Sequence, residues 1–460
     1  MFKHLVYSNN DVLTFDGCAL DEICQKYGTP LFIASARKIE SNVKRFFNTF
    51  SHYENQVLLS YSTKTNSNIG ILEILRKAGT HAGVCSILDY TAARRAGFPP
   101  EKIIYDGLVK KREDLTRAIR DGVGLINVES WEELVMINEI SRQLNRVTPV
   151  GLRIRIGSSP FHSLSVKSLL GIGYDRFGFD LRSGLAERVI DKADGLTNIR
   201  IEGLLVHEGS HFHTAGPYIN NFRELTPLIR KLSHKTPGRF KYLNLGGGFG
   251  VATVKPYNLG DLIRNTFLRL ANQPVHYDLQ SKTTDLEKMA KDIVSEVTTF
   301  FSKEKLTLPI LVFEPGRYVV GDAFVLASKI LLRKKVPGSG IWLILDAGTN
   351  LFPYLLSFNE YHQIMPVLKD QGKREVVHLA GPLLYSSDIV MKNCSLPHLE
   401  EGSLLAIHDA GAYTLAYSNQ FLYPRPAVVL IDHDRNLKVI REAESIETVL
   451  KQDRSFLQTE

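Results

Sequence analysis

Lys64 is the residue of this sequence that is best placed for covalent chemistry. It follows the apolar run 57–62 and comes shortly before a helical pattern that begins at Ile69. A lysine between a strand and the next helix lies at the end of an α/β fold where active sites are built. An amine that is shielded from water there loses its proton more easily and can form an imine with an aldehyde. The alternative is a lysine whose stem packs on the fold while its amine stays in water.

Other polar groups follow three later apolar runs. They lie in the segments His207–His211, Gly246–Gly250 and Glu314–Arg317. Glycines at 246–248 let backbone N–H groups approach an anion closely, because no Cβ intervenes. The same glycines also suit an ordinary tight turn, and Glu314 with Arg317 also suits a structural ion pair. Each signal is therefore weak alone, and the combination carries the interpretation.

The combination matches one cofactor. His207, His211 and His213 lie in one loop, which offers poor tetrahedral geometry, so we expect no metal site. A lysine for an imine and a glycine loop with an arginine for a phosphate are two of the groups that pyridoxal 5′-phosphate (PLP) needs. A flat imidazole for stacking and a carboxylate for a ring nitrogen are the others. The sequence therefore predicts a PLP site.

A repeated unit of strand, loop and amphipathic helix must position these side chains. It recurs at intervals of roughly 20 to 30 residues from Val57 to about Gly316. About eight such units indicate a closed (β/α)₈ barrel, in which the C-terminal ends of the strands carry the chemistry. An open doubly wound sheet is the alternative, but no GxGxxG motif follows the first strand. We predict the barrel strands at 57–62, 82–86, 102–106, 125–128, 150–156, 201–207, 242–245 and 310–313.

After Arg317 the pattern changes to short strands separated by turns, and helical periodicity largely disappears. This pattern is typical of a β domain. We therefore predict an α/β fold in three parts. The N-terminal segment 1–35 joins the β domain, residues 36–316 form a PLP-binding TIM-type barrel, and residues 317–460 form the C-terminal β domain.

Composition excludes several classes of protein. The 460 residues favour two domains, and 44% hydrophobic with 23% charged residues is typical of a globular protein in water. The net charge of +7 is scattered along the chain, which does not indicate nucleic-acid binding. We find no signal-peptide pattern and no membrane span, and the cysteines form neither a CxxC pair nor a zinc motif. We expect a cytoplasmic protein with reduced thiols.

Five motifs occur in order along the chain. They are Tyr61–Asn66, His207–Ser210, Leu243–Gly250, Glu314–Tyr318 and Asp409–Tyr413. They resemble the fold type III PLP-dependent decarboxylases, the group of diaminopimelate, ornithine and arginine decarboxylases. The resemblance covers nearly the whole chain. It implies an alanine-racemase-like barrel with a C-terminal β domain, and a homodimer whose active sites contain residues of both subunits.

The resemblance also implies a role for each matching residue. Lys64 would hold PLP covalently, His207 would stack on its ring, and Glu314 would face the ring nitrogen; these three are the predicted catalytic residues. A carboxylate there keeps the ring nitrogen protonated, which favours decarboxylation, whereas the related alanine racemases have an arginine. The other predicted cofactor contacts, at or beside the phosphate, are Ser210, Gly246, Gly247, Gly248, Gly316, Arg317 and Tyr413.

On the substrate side the chain departs from the family pattern. Leu384 occupies the position of a cysteine that enters the neighbouring subunit's site and helps to protonate the product. Tyr385 replaces an acidic ligand of the substrate amine, and Gly83 replaces the acid that precedes Val-x-Ser on the second barrel strand. Tyr354 lies where an Arg-Pro pair would bind a distal carboxylate. We therefore predict Arg317, Tyr354 and Tyr385 as substrate contacts.

These departures favour α-decarboxylation of an unusual amino acid. The expected substrate is a larger or conjugated small-molecule amino acid, or an amino acid bound to a carrier. The expected pathway is siderophore, natural-product or amino-acid biosynthesis. One alternative is a diaminopimelate decarboxylase of lysine biosynthesis. Others are a non-catalytic regulator that retains PLP, or different PLP chemistry such as racemisation. An intact set of Lys64, Glu314 and Arg317 argues against the regulator.

Overall fold

The computed structural model describes residues 4–157, 176–251, 254–256, 259–271, 273–275, 284–353, 360–369 and 372–455. The chain divides into two compact units. The barrel unit comprises residues 42–251 and 283–318, and the β unit comprises residues 1–41, 252–282 and 319–460.

The strands of the described residues are given in chain order. They are β1 (Leu5–Tyr7), β2 (Leu13–Phe15), β3 (Cys18–Ala19), β4 (Leu31–Ser35), β5 (Val57–Ser62), β6 (His81–Val84), β7 (Ile103–Tyr105), β8 (Leu125–Val128), β9 (Thr148–Arg155), β10 (Phe179–Asp180), β11 (Ile199–Val206), β12 (Tyr242–Asn244), β13 (Val254–Pro256), β14 (Ile310–Phe313), β15 (Phe324–Val336), β16 (Gly340–Leu345), β17 (Glu360–His362), β18 (Ile364–Pro366), β19 (Arg374–Ala380), β20 (Ile389–Pro397), β21 (Leu404–His408), β22 (Val428–Ile431) and β23 (Leu437–Arg441).

The helices of the same residues are given in the same way. They are α1 (Leu20–Tyr27), α2 (Ala36–Thr49), α3 (Ile69–Lys77), α4 (Ile87–Arg95), α5 (Arg112–Asp121), α6 (Trp131–Gln143), α7 (Leu185–Lys192), α8 (Gly216–Lys235), α9 (Leu259–Leu270), α10 (Leu286–Lys303), α11 (Arg317–Val320) and α12 (Ile446–Leu450). None of these helices combines the length and the apolar character that a membrane span requires.

The barrel closes through parallel pairing. β9, β11, β12, β14, β5, β6, β7 and β8 pair in this order, and β8 returns to β9. Every pair in this ring is parallel. The predicted (β/α)₈ barrel is therefore confirmed, and the open sheet is wrong. The two-residue strand β10 adds to β9 outside the ring, and the apolar pattern did not indicate it.

Short loops join the strands to the helices that follow them. Asn68 accepts a hydrogen bond from the backbone N–H of Ile71 at the start of α3, and Ser86 and Ser130 cap α4 and α6 in the same way. Such caps satisfy N–H groups that the first helical turn leaves without partners. Each cap lies a few residues after its strand. The start of the helix therefore fixes the loop that follows the strand end.

An aromatic cluster packs beside two of the strand-end segments. The ring centroid of Phe46, on α2, lies 5.6 Å from that of Phe249 and 5.9 Å from that of Phe313. Phe50 packs on Phe313 at 4.7 Å, and Tyr218 packs on Phe249 at 5.3 Å. Phe249 follows the glycine loop and Phe313 precedes Glu314, so the cluster fixes the segments that carry both.

The β unit is built on a second sheet. β20, β19, β16, β15, β4, β22 and β23 pair in this order, and β21 joins β15 and β18. The long strand β15 pairs with β4 and β21 in its first half and with β16 in its second half. β4 comes from the start of the chain and lies between β15 and β22. The separate sheet that the sequence predicts after the barrel is therefore present.

Candidate active site

Lys64 lies in a single 3₁₀ turn, Thr63–Thr65, directly after β5. The hydroxyl of Thr63 donates to the carbonyl of Gly83 at 2.9 Å, and the hydroxyl of Tyr61 donates to the carbonyl of Asn66 at 3.1 Å. Thr63 and Thr65 are fully buried, whereas the side chain of Lys64 is exposed. The lysine therefore stands on a rigid turn and presents its amine at the strand ends.

Glu314 follows β14, and its carboxylate is oriented by Asn244. The side-chain amide of Asn244 donates to Oε1 of Glu314 at 2.6 Å, and its Oδ1 accepts from the backbone N–H of Gly246 at 2.9 Å. Shielding from water raises the pKa of Glu314, and the negative charge of Asp106 raises it further. A carboxylate in such surroundings favours a cationic or N–H partner, which a pyridine nitrogen provides.

His207 follows β11 directly, and its ring is neutral. Its Nδ1 accepts a hydrogen bond from the backbone N–H of Gly247 at 3.0 Å, so the ring hydrogen is on Nε2. Burial lowers the pKa of His207 to about 3, and the charges of Lys64 and Arg153 lower it as well. A flat, uncharged imidazole held in this way can pack against a planar ring.

The glycine loop is packed too closely for any other residue. Gly246 and Gly248 have positive φ angles of 71° and 88°. A Cβ at Gly246 would lie 2.6 Å from Nδ1 of His207, and a Cβ at Gly248 would lie 2.7 Å from the carbonyl oxygen of Gly209. A Cβ at Gly247 would lie 2.2 Å from the carbonyl oxygen of Glu314. Without side chains, the loop lets an anion such as a phosphate come close to its backbone. The N–H groups of Gly246 and Gly247 already donate to Asn244 and His207.

The remaining predicted residues of the barrel unit lie close to this loop. The Cα of Ser210 is 3.2 Å from where a Cβ of Gly248 would be. A Cβ at Gly316 would lie 2.1 Å from Oγ1 of Thr65, which places the Gly316–Arg317 segment against the turn that carries Lys64. Arg317 is buried. Lysine turn, carboxylate, imidazole and glycine loop are thus one cluster at the C-terminal ends of β5, β11, β12 and β14.

Four residues named in the sequence analysis belong to the β unit, and the structure describes three of them. Leu384 is 94% exposed and Tyr385 is 49% exposed, at the tip of a loop that Asp388 ties down by accepting from the N–H groups of Leu383 and Thr349. Tyr413 has a positive φ of 59°, and its ring packs on that of Tyr417 at 6.2 Å. Tyr354, the fourth predicted residue outside the barrel, lies outside the described residues.

Sequence reasoning missed several polar residues inside the barrel. Asn244, which orients Glu314, lies in the motif Leu243–Gly250, but the sequence predicts no role for it. Arg153 on β9 forms an ion pair with Glu129 at 2.8 Å, and Asn127 donates to Asp106 at 2.6 Å. The sequence feature that could have identified these residues is a polar residue within or directly after an otherwise apolar strand.

Comparison with known proteins identifies the family. The model of the pyridoxal-dependent decarboxylases, pyridoxal binding domain, matches residues 36–321. The diaminopimelate decarboxylase of Methanocaldococcus jannaschii is 29% identical over 443 residues, which are 95% of this chain and 94% of that protein. The diaminopimelate decarboxylase of Aquifex aeolicus is 29% identical over 449 residues, 97% of each chain.

Solved structures agree with this assignment. The crystal structure of the M. jannaschii diaminopimelate decarboxylase with L-lysine has a TM-score of 0.85 at 27% identity and covers 98% of both chains. PLP, when bound, supplies a ring that accepts the electron pair left by departing CO₂. The amine, neutral imidazole, partly buried carboxylate and glycine loop described above fit that cofactor. The chain belongs to the pyridoxal-dependent decarboxylases of fold type III, and it is a PLP-dependent carboxy-lyase.

Proposed function

We propose that this protein decarboxylates diaminopimelate at one α-carbon, with lysine as the product. The observation that carries the proposal is that curated relatives matched over nearly the whole chain are diaminopimelate decarboxylases. A structure similar to this chain contains L-lysine, which is diaminopimelate without one carboxylate. These findings favour what the sequence alone ranked second.

We infer the following division of labour from the site geometry. Lys64 holds PLP covalently, His207 packs on its ring, and Glu314 pairs with its ring nitrogen. Asn244 occupies Oε1 of Glu314, so Oε2 would be the oxygen that keeps the ring nitrogen protonated when PLP is bound. The phosphate is bound by Ser210, Gly246, Gly247, Gly248, Gly316, Arg317 and Tyr413. This arrangement keeps the ring ready to accept electrons.

The proposed assembly is a homodimer with composite active sites. The loop tip with Leu384 and Tyr385 exposes two large side chains on a loop that is otherwise tied down. We infer that these two adjacent side chains contribute to a larger apolar interaction surface. In this proposal the partner's β unit supplies Tyr413 and the loop tip to the barrel of the other subunit.

A second candidate is decarboxylation of an amino acid with an uncharged, conjugated or carrier-bound distal end. The comparisons do not support it. The observation in its favour is that Leu384 and Tyr385 stand where the family has a cysteine and an acid. Leucine cannot donate a proton, so water or another group must complete the reaction in either case.

An assay of CO₂ release separates the candidates. We expect the purified, PLP-loaded protein to release CO₂ from meso-diaminopimelate and to form lysine, and Lys64→Ala to form none. Ornithine, arginine, lysine and Nε-acylated lysine serve as competing substrates. Faster turnover of the acylated substrate than of diaminopimelate would select the second candidate. Failure of every substrate with PLP bound would refute decarboxylation of both kinds.

A further inference from the structure

Asp106 is a buried carboxylate at the active-site end of the barrel to which the proposed function gives no role. It follows β7 directly, and it is 9% exposed. Its Oδ1 accepts a hydrogen bond from the side-chain amide of Asn127 at 2.6 Å. Asn127 lies over Gly151 on the next strand, where a Cβ would come within 2.2 Å of Oδ1 of Asn127. Because residue 151 is glycine, Asn127 has the space to hold Asp106 in one orientation.

The other carboxylate oxygen points towards Gly83. A Cβ at Gly83 would lie 3.5 Å from Oδ2 of Asp106 and 2.9 Å from Oγ of Ser60. The Ser60 hydroxyl is fully buried and finds no hydrogen-bond partner among the residues that the structure describes. The space that a side chain at position 83 would enter is thus bordered by a carboxylate from the neighbouring strand and an unsatisfied hydroxyl. Gly83 is the position at which the family pattern has an acid.

The turn that carries Lys64 is bonded to Gly83 as well, because the hydroxyl of Thr63 donates to the carbonyl of Gly83 at 2.9 Å. The lysine turn and Asp106 therefore both border Gly83. Lys110 forms an ion pair with Glu133 at 2.7 Å, and Arg153 forms one with Glu129 at 2.8 Å. The third cation whose charge acts on Asp106 is Lys64. Burial raises the pKa of Asp106, while the hydrogen bond from Asn127 and these cations lower it. The titratable and charged groups around Asp106 are Lys64, Cys85, Lys110, Arg153 and Glu314.

We propose that Asp106 is a positioning residue for Lys64, and that it supplies from β7 the carboxylate that other members of the family carry at the position of Gly83. The proposal rests on the role proposed for Lys64. The carboxylate stabilises the protonated nitrogen of Lys64 and holds it at the strand ends. Gly83, Asn127 and Gly151 are the residues that make room for this carboxylate or hold it.

Asp106→Asn tests the charge with almost no change of shape. An opposite charge close to an amine shifts its titration by roughly one to three pH units. We expect the pH midpoint of the visible absorbance of Lys64-bound PLP to fall by about one unit or more. In the cofactor-free protein, we expect Lys64 to react about tenfold faster with trinitrobenzenesulfonate at neutral pH. Asp292→Asn, an exposed aspartate on α10, should change neither quantity.

Moving the carboxylate from the end of β7 to β6 provides a sharper test. Gly83→Asp alone places two carboxylates in one space, and Asp106→Gly alone removes the carboxylate, so each should shift the midpoint and weaken PLP binding by about tenfold. The double variant Gly83→Asp/Asp106→Gly restores one carboxylate, which the hydroxyl of Ser60 can satisfy. We expect it to recover most of the wild-type midpoint and PLP affinity. A residue needed only for packing would not be rescued in this way.

The outcomes separate this proposal from the proposed function. If Lys64→Ala retains the visible absorbance of bound PLP, the assignment of Lys64 itself is wrong. If Lys64→Ala loses it but Asp106→Asn titrates as the wild type does, only the role of Asp106 is refuted. A folded double variant that is no better than both single variants would also refute it. Circular dichroism of every variant establishes that the fold is retained.

Discussion

At the scale of single residues, the site depends on side chains that are absent as much as on those present. Gly246, Gly247 and Gly248 pack against His207, Glu314 and Gly209 with no space for a Cβ. The loop therefore approaches two of the proposed catalytic residues closely, and the N–H groups of Gly246 and Gly247 donate to Asn244 and His207. Asn244 connects the loop with Glu314, because its side-chain nitrogen donates to Glu314 and its side-chain oxygen accepts from Gly246.

Gly246→Ala should weaken PLP binding far more than it weakens the fold. The added Cβ would lie 2.6 Å from Nδ1 of His207, so His207 and the loop must move apart. Gly238→Ala is the matched control, because Gly238 has a φ of 74°, close to the 71° of Gly246, and nothing within 4 Å of its Cβ. Both variants pay roughly 1 kcal/mol for the left-handed backbone.

The measurement is the dissociation constant of PLP beside the melting temperature of the cofactor-free protein. We expect Gly246→Ala to lose PLP affinity by about tenfold or more and Gly238→Ala to keep it within about twofold. Equal PLP affinity in the two variants would contradict the proposal that the glycine loop binds the phosphate of PLP.

At the scale of elements, the barrel strands were predictable and the interior polar network was not. A strand buried on both faces reads as a continuous apolar run, and β5, β8 and β14 were predicted with the bounds observed. Lys64, His207 and Glu314 could be found because each follows such a run. Asp106 follows β7 and Asn127 lies within β8, but a single polar residue gives no periodic signal. Only the pairing of neighbouring strands shows that these two side chains meet.

The aromatic cluster between α2 and the strand ends should stabilise the barrel unit and align the site. Phe46→Ala removes a fully buried ring and should lower the free energy of unfolding by about 3–5 kcal/mol. It should also weaken PLP binding, because Phe46 packs on Phe249 and Phe313, the neighbours of the glycine loop and of Glu314. Phe47→Ala, on the same helix but partly exposed, should cost less than half as much. Denaturant unfolding followed by far-UV circular dichroism measures the free energy of unfolding of both variants. Equal losses of this free energy would contradict this account.

At the scale of the whole molecule, the family could be predicted from the order of its motifs, but the preferred substrate could not. The sequence showed that Leu384 and Tyr385 depart from the family pattern, and from this we expected an unusual substrate. The relatives instead favour diaminopimelate. Substrate choice depends on a few side chains around the reacting carbon, and in the proposed dimer those side chains come from two subunits. One chain read alone does not show which of them meet.

Subunit complementation tests whether the sites are composite. Lys64→Ala removes a residue of the barrel unit and Tyr413→Ala removes one of the β unit, so each homodimer should be nearly inactive. If each site combines one subunit's barrel with the partner's β unit, a mixed dimer contains one site with both residues intact. Random exchange of equal amounts then restores about a quarter of the wild-type sites.

The matched control is Tyr417→Ala, which removes the ring that packs edge-on against Tyr413 at 6.2 Å. As a homodimer it should keep most of its activity, which would show that loss of this ring contact alone does not inactivate the enzyme. CO₂ release before and after mild unfolding and refolding of the mixture measures the recovery. If activity does not rise after exchange, although mixed dimers are detected by mass spectrometry, each site is complete within one chain. In that case the exposed tip at Leu384 and Tyr385 contributes to no site of a partner subunit. A rise to about a quarter would assign Tyr413 to the partner's cofactor site.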